Sequence, residues 1–111
     1  MTAWLPEGQM EWSGRPVARS IADAIPRARA VLSGVICSLH VREIPETTIL
    51  LEADLRDATG VISLSWAGRT SIPGMSPGAS VTVEGTVSEH AGRRRLLNPL
   101  YRFTDAVKTE R

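Results

Sequence analysis

The stretch TTILLEADLRDATGVISLSWAG, Thr47–Gly68, decides the fold of this 111-residue chain. Apolar side chains occupy every second position from Ile49 to Leu55, and the alternation resumes from Ile62 to Trp66. A period of two predicts two strands that each bury one face. Between them, Asp57–Gly60 (DATG) predicts a tight turn, because Asp and Thr side chains can bond the turn backbone and glycine tolerates positive φ. The stretch therefore predicts a β-hairpin.

The composition predicts one ordinary globular domain. The chain is 42% apolar and 23% charged, and it has no run of about 20 apolar residues that would span a membrane. Cys37 is the only cysteine, which excludes an internal disulfide and suits a reducing cytoplasm. The N-terminus lacks the early positive charge of a signal peptide. Because the net charge is only +1, any affinity for nucleic acid must come from local charge.

Residues 1–27 predict an N-terminal arm followed by a short helix. The arm, residues 1–15, carries Trp4 and Trp12, and it is either partly ordered or docks on a protein partner or a second copy of the chain. From Pro16 to Ile25 apolar residues recur at helical spacing, and Pro26 ends the pattern. Such a short helix must pack on something, so we expect it to cover one end of the domain.

The rest of the chain predicts three further strands. Ala28–Val41 is a long β-prone run with Gly34 near its middle, where a glycine often marks a bulge or a sharp bend. Ser80–His90 alternates again, and Arg95–Phe103 supplies the last strand. Residues 105–111 predict a polar tail.

Five strands without a crossover helix predict an all-β domain. A five-stranded Greek-key barrel, the OB-fold, accommodates them within residues 28–104. An SH3-like barrel is the alternative, but its shorter strands leave the long runs Ala28–Val41 and Thr47–Ala67 unexplained. The predicted fold is thus an all-β OB-fold barrel preceded by a short helix and an arm.

Several motifs of Ala30–Phe103 resemble the OB-fold nucleic-acid-binding family, which includes anticodon-binding domains of some tRNA synthetases and the wedge domain of a branch-migrating DNA helicase. The matching pieces are VLSGVICSL, LLEADLRDATGVISLSW, PGMSPGASVTVEGTV and RLLNPLYRF. The succession of Asp-x-Thr-Gly, Pro-Gly, Val-x-Val-x-Gly and Asn-Pro-x-Tyr carries the likeness. The whole chain is similar to small stand-alone OB-fold proteins of actinobacteria. The resemblance implies binding of nucleic acid on the outer face of the second and third strands.

The residues expected on that face are mostly polar. They are Thr48, Leu50, Glu52, Asp54, Arg56, Ser63, Ser65 and Arg69. The two acids would repel phosphate, and the face offers no aromatic side chain on which bases could stack. Trp66 shares the parity of Ile62 and Leu64 and so belongs in the core, but a register slip of one residue would turn it outward as a stacking platform.

A run of three arginines at the tip of the last hairpin predicts the electrostatic part of the site. Arginine binds phosphate well because its planar fork bonds two oxygens at once. The rim would contain Arg93, Arg94, Arg95, Arg102, Arg56, Arg69 and, as a further candidate, His90. The alternative is a solvated turn that keeps the protein soluble. Tyr101 and Phe103 are expected in the core or at the barrel end.

No catalytic or metal-binding constellation is recognisable in the sequence. Cys37 and His40 would point to opposite faces of a strand, and His90 is the only other histidine. The sequence therefore predicts a non-enzyme without metal or cofactor.

Two functions remain open. The first is a module that binds single-stranded DNA or RNA, with a role accessory to DNA repair, recombination or RNA processing. The second is a protein-interaction or assembly module that does not bind nucleic acid directly. Salt dependence distinguishes them, because binding through phosphates weakens steeply as salt is added.

Overall fold

The computed structural model describes residues 17–104, which form six strands and one turn of 3-10 helix. The predicted arm, Pro16 and the predicted tail lie outside the described residues. The elements are the 3-10 turn Ile21–Asp23, β1 Arg29–Ile44, β2 Thr48–Asp57, β3 Gly60–Ala67, β4 Ser80–His90, β5 Arg93–Leu97 and β6 Leu100–Phe103.

The sheet closes on itself as a barrel. The strands follow the order β1-β2-β3-β5-β4, and β4 pairs back to β1 to complete the ring. Neighbouring strands are antiparallel except β3 and β5, where Ser63–Ser65 runs parallel to Arg95–Leu97. This closed five-stranded arrangement is the predicted OB-fold barrel. The fold class inferred from the sequence is confirmed.

The β2–β3 hairpin has the predicted register. Leu51 lies opposite Trp66, Ala53 opposite Leu64, and Leu55 opposite Ile62. All six side chains are buried in the core. Trp66 is only 4% exposed, and its Nε1–H donates to the carbonyl of Pro99 at 3.0 Å. The slipped register that would have turned Trp66 outward is therefore wrong.

Gly34 marks the bend that the sequence predicted in the first strand. Residues 29–35 of β1 pair with β4, and residues from Val35 onward pair with β2, so the strand changes partner at this point. A Cβ on Gly34 would lie 2.3 Å from the carbonyl oxygen of Arg56. Only glycine allows this close approach of two backbones. A shift in the pairing register follows between Ile36 and Ser38.

The predicted last strand, Arg95–Phe103, is interrupted at Asn98 and Pro99. Both halves pair with β4, but Pro99 has no N–H for a sheet ladder. Asn98 adopts a positive φ of 50°, and its backbone N–H donates to the carbonyl of Ser65 at 2.6 Å. Its side-chain oxygen accepts from the N–H of Ala67 at 2.9 Å. The interruption therefore ties the last strand to the end of β3.

The helix predicted over Pro16–Ile25 is wrong in type and length. Of its described residues, 17–25, only Ile21–Asp23 are helical, as one 3-10 turn, and Ala18 instead forms a parallel bridge with Ala30. Tertiary hydrogen bonds replace the helical ones, because Asp57 accepts from the N–H of Ile21 and Thr59 from that of Ala22. So short a helix has little stability of its own to resist this competition. Ile21 is fully buried in the core, so this segment covers the barrel as predicted.

Candidate functional site

A shallow groove of about 330 Å³ lies on the outer face of β2 and β3. We call it the β2–β3 groove. Its lining comes from five strands, since β1 and β5 border β2 and β3 on either side and the end of β4 contributes His90. The lining residues are His40, Arg42, Glu52, Ala53, Asp54, Ser63, Ser65, His90, Arg93 and Arg95. Ser63, Ser65, Arg93 and Arg95 were predicted site residues, and His90 was the further candidate.

Glu52 does not present an unbalanced charge in the groove. Arg42 donates from Nε to Oε1 at 3.2 Å and from Nη2 to Oε2 at 2.9 Å, and His40 Nε2 lies 2.9 Å from Oε1. The hydrogen bond from Arg42 lowers the pKa of Glu52, against the opposing effect of burial and with further help from His40. In return, the pKa of Arg42 is raised by the same hydrogen bond. The repulsion of phosphate that the sequence implied at Glu52 is thus largely neutralised.

Asp54 is the second carboxylate that lines the groove. It lies between Ser38 of β1 and Ser63 of β3. The Ser38 hydroxyl donates to Oδ2 at 3.0 Å, and the Ser63 hydroxyl donates to Oδ1 at 3.3 Å. Within residues 17–104, no Arg, Lys or His nitrogen lies within 4.0 Å of this carboxylate. Asp54 is therefore a fixed, uncompensated acceptor on the floor of the groove.

The three consecutive arginines fall on two sides of β5. Arg93 and Arg95 line the groove, because side chains two apart on a strand share a face. Arg94 points the other way, and its Nη1 donates to the carbonyls of Ile21 at 2.6 Å and Ala24 at 2.8 Å. Arg94 thus holds the segment before β1 in place. Alternation along β5 therefore separates Arg94 from the single rim predicted for all three arginines.

The other predicted site residues lie outside the groove. Thr48 begins β2, Arg56 lies near its other end opposite Val61, and Arg69 follows β3. Arg102 lies on β6 opposite Thr82. The structure thus separates these four residues from the lining side chains. Trp66, buried beneath the hairpin, is not accessible for stacking.

His40 and Arg42 were missed as site residues. Both lie on β1, and the pairing of His40 with Glu52 and of Arg42 with Leu50 brings them to this face. Their strand was predicted, but nothing in the linear pattern gives its register against β2. Alternation at Ser38, His40 and Arg42 was the available signal, because it marks a polar strand face.

Within the described part of the chain, no Phe, Tyr or Trp lines the groove. Tyr101 packs edge-on against Trp66 and Phe103, with ring centroids 5.9 Å apart in each pair. Among residues 17–104, no three His, Cys, Asp or Glu side chains form a group that could hold a metal ion. Over the same residues, the structure has no helix with the length and apolar character needed to cross a membrane.

Comparisons with known proteins identify the fold. No protein-family model matches the chain, and no curated protein matches it significantly. A solved structure does: the solution NMR structure of the OB domain of Ta0387 from Thermoplasma acidophilum superimposes with a TM-score of 0.64. The match covers 82% of this chain and 90% of that domain at 15% sequence identity. The chain is an OB-fold domain.

Proposed function

We propose that this protein is a non-catalytic OB-fold module that binds single-stranded DNA or RNA in the β2–β3 groove. The observation that carries the proposal is the pair Arg93 and Arg95, which project from β5 into the same groove. Residues two apart on a strand are separated by about 6.6–6.8 Å, so the two guanidiniums can contact different phosphates of one strand.

The groove chemistry supports this proposal. Arg42 pairs with Glu52, to which His40 also hydrogen-bonds, so the β5 arginines face one carboxylate without a cationic partner among the described residues. The hydroxyls of Ser63 and Ser65 add donors and acceptors for sugar or phosphate. Without an aromatic platform, we expect affinity to depend mainly on phosphate contacts and to be correspondingly salt-dependent. We propose a cytoplasmic location and a role accessory to DNA repair, recombination or RNA processing.

The first test is fluorescence anisotropy with labelled single-stranded DNA and RNA of about 20 nucleotides, at low and at physiological salt. We expect saturable binding that weakens in R93A and in R95A. Each phosphate contact on a single strand contributes about −0.7 to the slope of log K against log salt, so R93A/R95A should flatten that slope by about 1.4.

Arg94→Ala is the matched control, because it removes the same charge from the same strand. Since Arg94 bonds the carbonyls of Ile21 and Ala24, its loss should lower stability and leave the affinity of the folded protein nearly unchanged. Absence of binding to both strands at low salt would contradict the proposal. If R94A lowers the affinity as much as R95A does, the β2–β3 groove is not the binding site.

A second candidate function, protein interaction, is favoured by another surface. A depression of about 420 Å³ is bordered by Leu97 and Leu100, which are 47% and 43% exposed. Glu84 lines it and is buried; among residues 17–104 its Oε1 has no hydrogen-bond partner, while Oε2 accepts from Arg29 at 2.6 Å. A partner that covers the two exposed leucines with apolar side chains would suit this surface. A pull-down that is insensitive to salt and lost in L97D/L100D would support it.

The contact predicted through the N-terminal arm, with a protein partner or a second copy, stays a prediction, because residues 1–15 lie outside the described residues. If neither nucleic acid binds, we would compare pull-downs by the full-length chain and by W4A/W12A.

A further inference from the structure

Asp54 is an unexpected residue for a groove that binds phosphates. Its carboxylate lies on the floor between the arginines of β5 and the Arg42–Glu52 pair. A negative charge there opposes every phosphate that approaches Arg93 or Arg95. Ser38 and Ser63 nevertheless hold it in one orientation through hydrogen bonds at 3.0 and 3.3 Å. This arrangement calls for a chemical role other than phosphate contact.

The acceptor capacity of Asp54 is only partly used. An ionised carboxylate offers about four lone-pair positions, and the two serine hydroxyls occupy two of them. Glu52 differs, because Arg42 engages both of its oxygens and His40 engages one of them. Of the two carboxylates in the groove, Asp54 therefore has the greater capacity left for a ligand that donates hydrogen bonds.

The edges of nucleic-acid bases provide such donors selectively. Cytosine carries an exocyclic N4 amino group, which carboxylates accept from, whereas thymine has a carbonyl oxygen at the same position. Uracil shares that carbonyl. A carboxylate attracts the amino group and repels the carbonyl. In a groove that lacks an aromatic platform, contact with base edges is the remaining means of base recognition.

We infer that Asp54 is a specificity-determining residue that accepts a hydrogen bond from an exocyclic amino group, so that the groove prefers cytosine to thymine or uracil. The inference rests on the proposed function, since it assigns base recognition to the same groove. In this arrangement Arg93 and Arg95 bind the phosphates, and the Asp54 carboxylate accepts a hydrogen bond from the base that lies over β2 and β3. Ser38 and Ser63 are positioning residues for its carboxylate.

The test compares (dC)12 with (dT)12, and (rC)12 with (rU)12, by anisotropy at one fixed low salt and pH 7.5. The members of each pair carry the same phosphates and differ at the base. We expect the wild-type protein to bind the cytosine strand about fivefold more tightly, at the lower end for a base-edge contact. In Asp54→Asn this ratio should fall to about one, because affinity for the thymine and uracil strands rises when the negative charge is removed.

Glu52→Gln is the matched control, since it removes a carboxylate two residues away whose oxygens are already engaged. It should change the affinity for all strands by the same factor and keep the cytosine preference. Thermal unfolding of both variants checks that they remain folded. If strands bind without preference, or if Asp54→Asn changes every strand equally, the inference is overturned and the proposed function stands. If no strand binds, both are overturned.

Discussion

Asp57 joins the turn of the β2–β3 hairpin to the segment that precedes β1. Its Oδ1 accepts from the backbone N–H groups of Thr59 at 2.7 Å and Gly60 at 3.0 Å, and from the Thr59 hydroxyl at 2.6 Å. Its Oδ2 accepts from the N–H of Ile21 at 2.9 Å. Burial alone would raise the pKa of Asp57, but these hydrogen bonds outweigh it and lower the pKa. One side chain therefore holds two parts of the chain together.

Asp57→Asn should destabilise the protein by about 1–2 kcal/mol at pH 7, because hydrogen bonds to a charged acceptor are weakened or lost. The pKa of Asp57 is lower in the folded state than its ordinary value of 3.8. The stabilisation is therefore complete above that value and is lost as the pH falls through the folded pKa. Urea unfolding at pH 7, 4 and 3 should show the difference between wild type and variant shrinking below about pH 4.

Asp23→Asn provides the control for this pH series, since it removes an exposed carboxylate from the adjacent 3-10 turn. We expect this variant to follow the wild type closely. A difference between wild type and Asp57→Asn that stays constant down to pH 3 would contradict an ionic role for Asp57.

At the scale of elements, β1 determines how the barrel closes. It pairs with β4 along its first half and with β2 along its second half. The change of partner takes place at Gly34, where the backbone of Arg56 comes within 2.3 Å of the position of a Cβ. Gly34 therefore allows β1 to pair with β4 along one half and with β2 along the other.

Gly34→Ala should cost about 1–3 kcal/mol, because the added methyl group meets backbone atoms that must move. Gly85→Ala in β4 is the matched control, since a Cβ there would lie 3.6 Å or more from its neighbours. Urea unfolding midpoints compare the two variants. Equal stability losses in both would show that the close approach at Gly34 is not the cause.

The hairpin and the bend were predictable because each depends on local sequence. Parity alone places Leu51, Leu64 and Trp66 in the core, and a glycine within a strand predicts a bend. The short N-terminal helix was mispredicted because Asp57 and Thr59, distant in sequence, take its backbone N–H groups. The break at Asn98 likewise depends on contacts with β3.

The candidate groove was only half predictable. Ser63 and Ser65 follow from the parity of β3, and Arg93 and Arg95 follow from their position in the last hairpin. The partners of Glu52, His40 and Arg42, could not be predicted in this way, because they belong to β1 and their position depends on how that strand aligns with β2. A single sequence therefore identifies the groove side chains of β3 and of the last hairpin, but neither those of β1 nor how the charges in the groove are balanced.

At the scale of the whole molecule, the barrel brings together residues that are distant in the sequence. The groove takes His40 and Arg42 from β1, and Arg93 and Arg95 from β5. Its geometry therefore depends on closure of the complete ring. A variant that loosens the ring should weaken nucleic-acid binding even when its substitution lies far from the groove, as Gly34 does.

Ring closure also has a kinetic consequence. The β1–β4 pairing joins Arg29 to Thr86, which are 57 positions apart, and residues 17–104 contain no α-helix that would supply early local contacts. Because the entropy of closing so long a loop is lost before the pairing stabilises the chain, we expect refolding in milliseconds to seconds. Stopped-flow refolding followed by tryptophan fluorescence measures this rate. Completion within microseconds would show that the barrel assembles without waiting for β1 and β4 to meet.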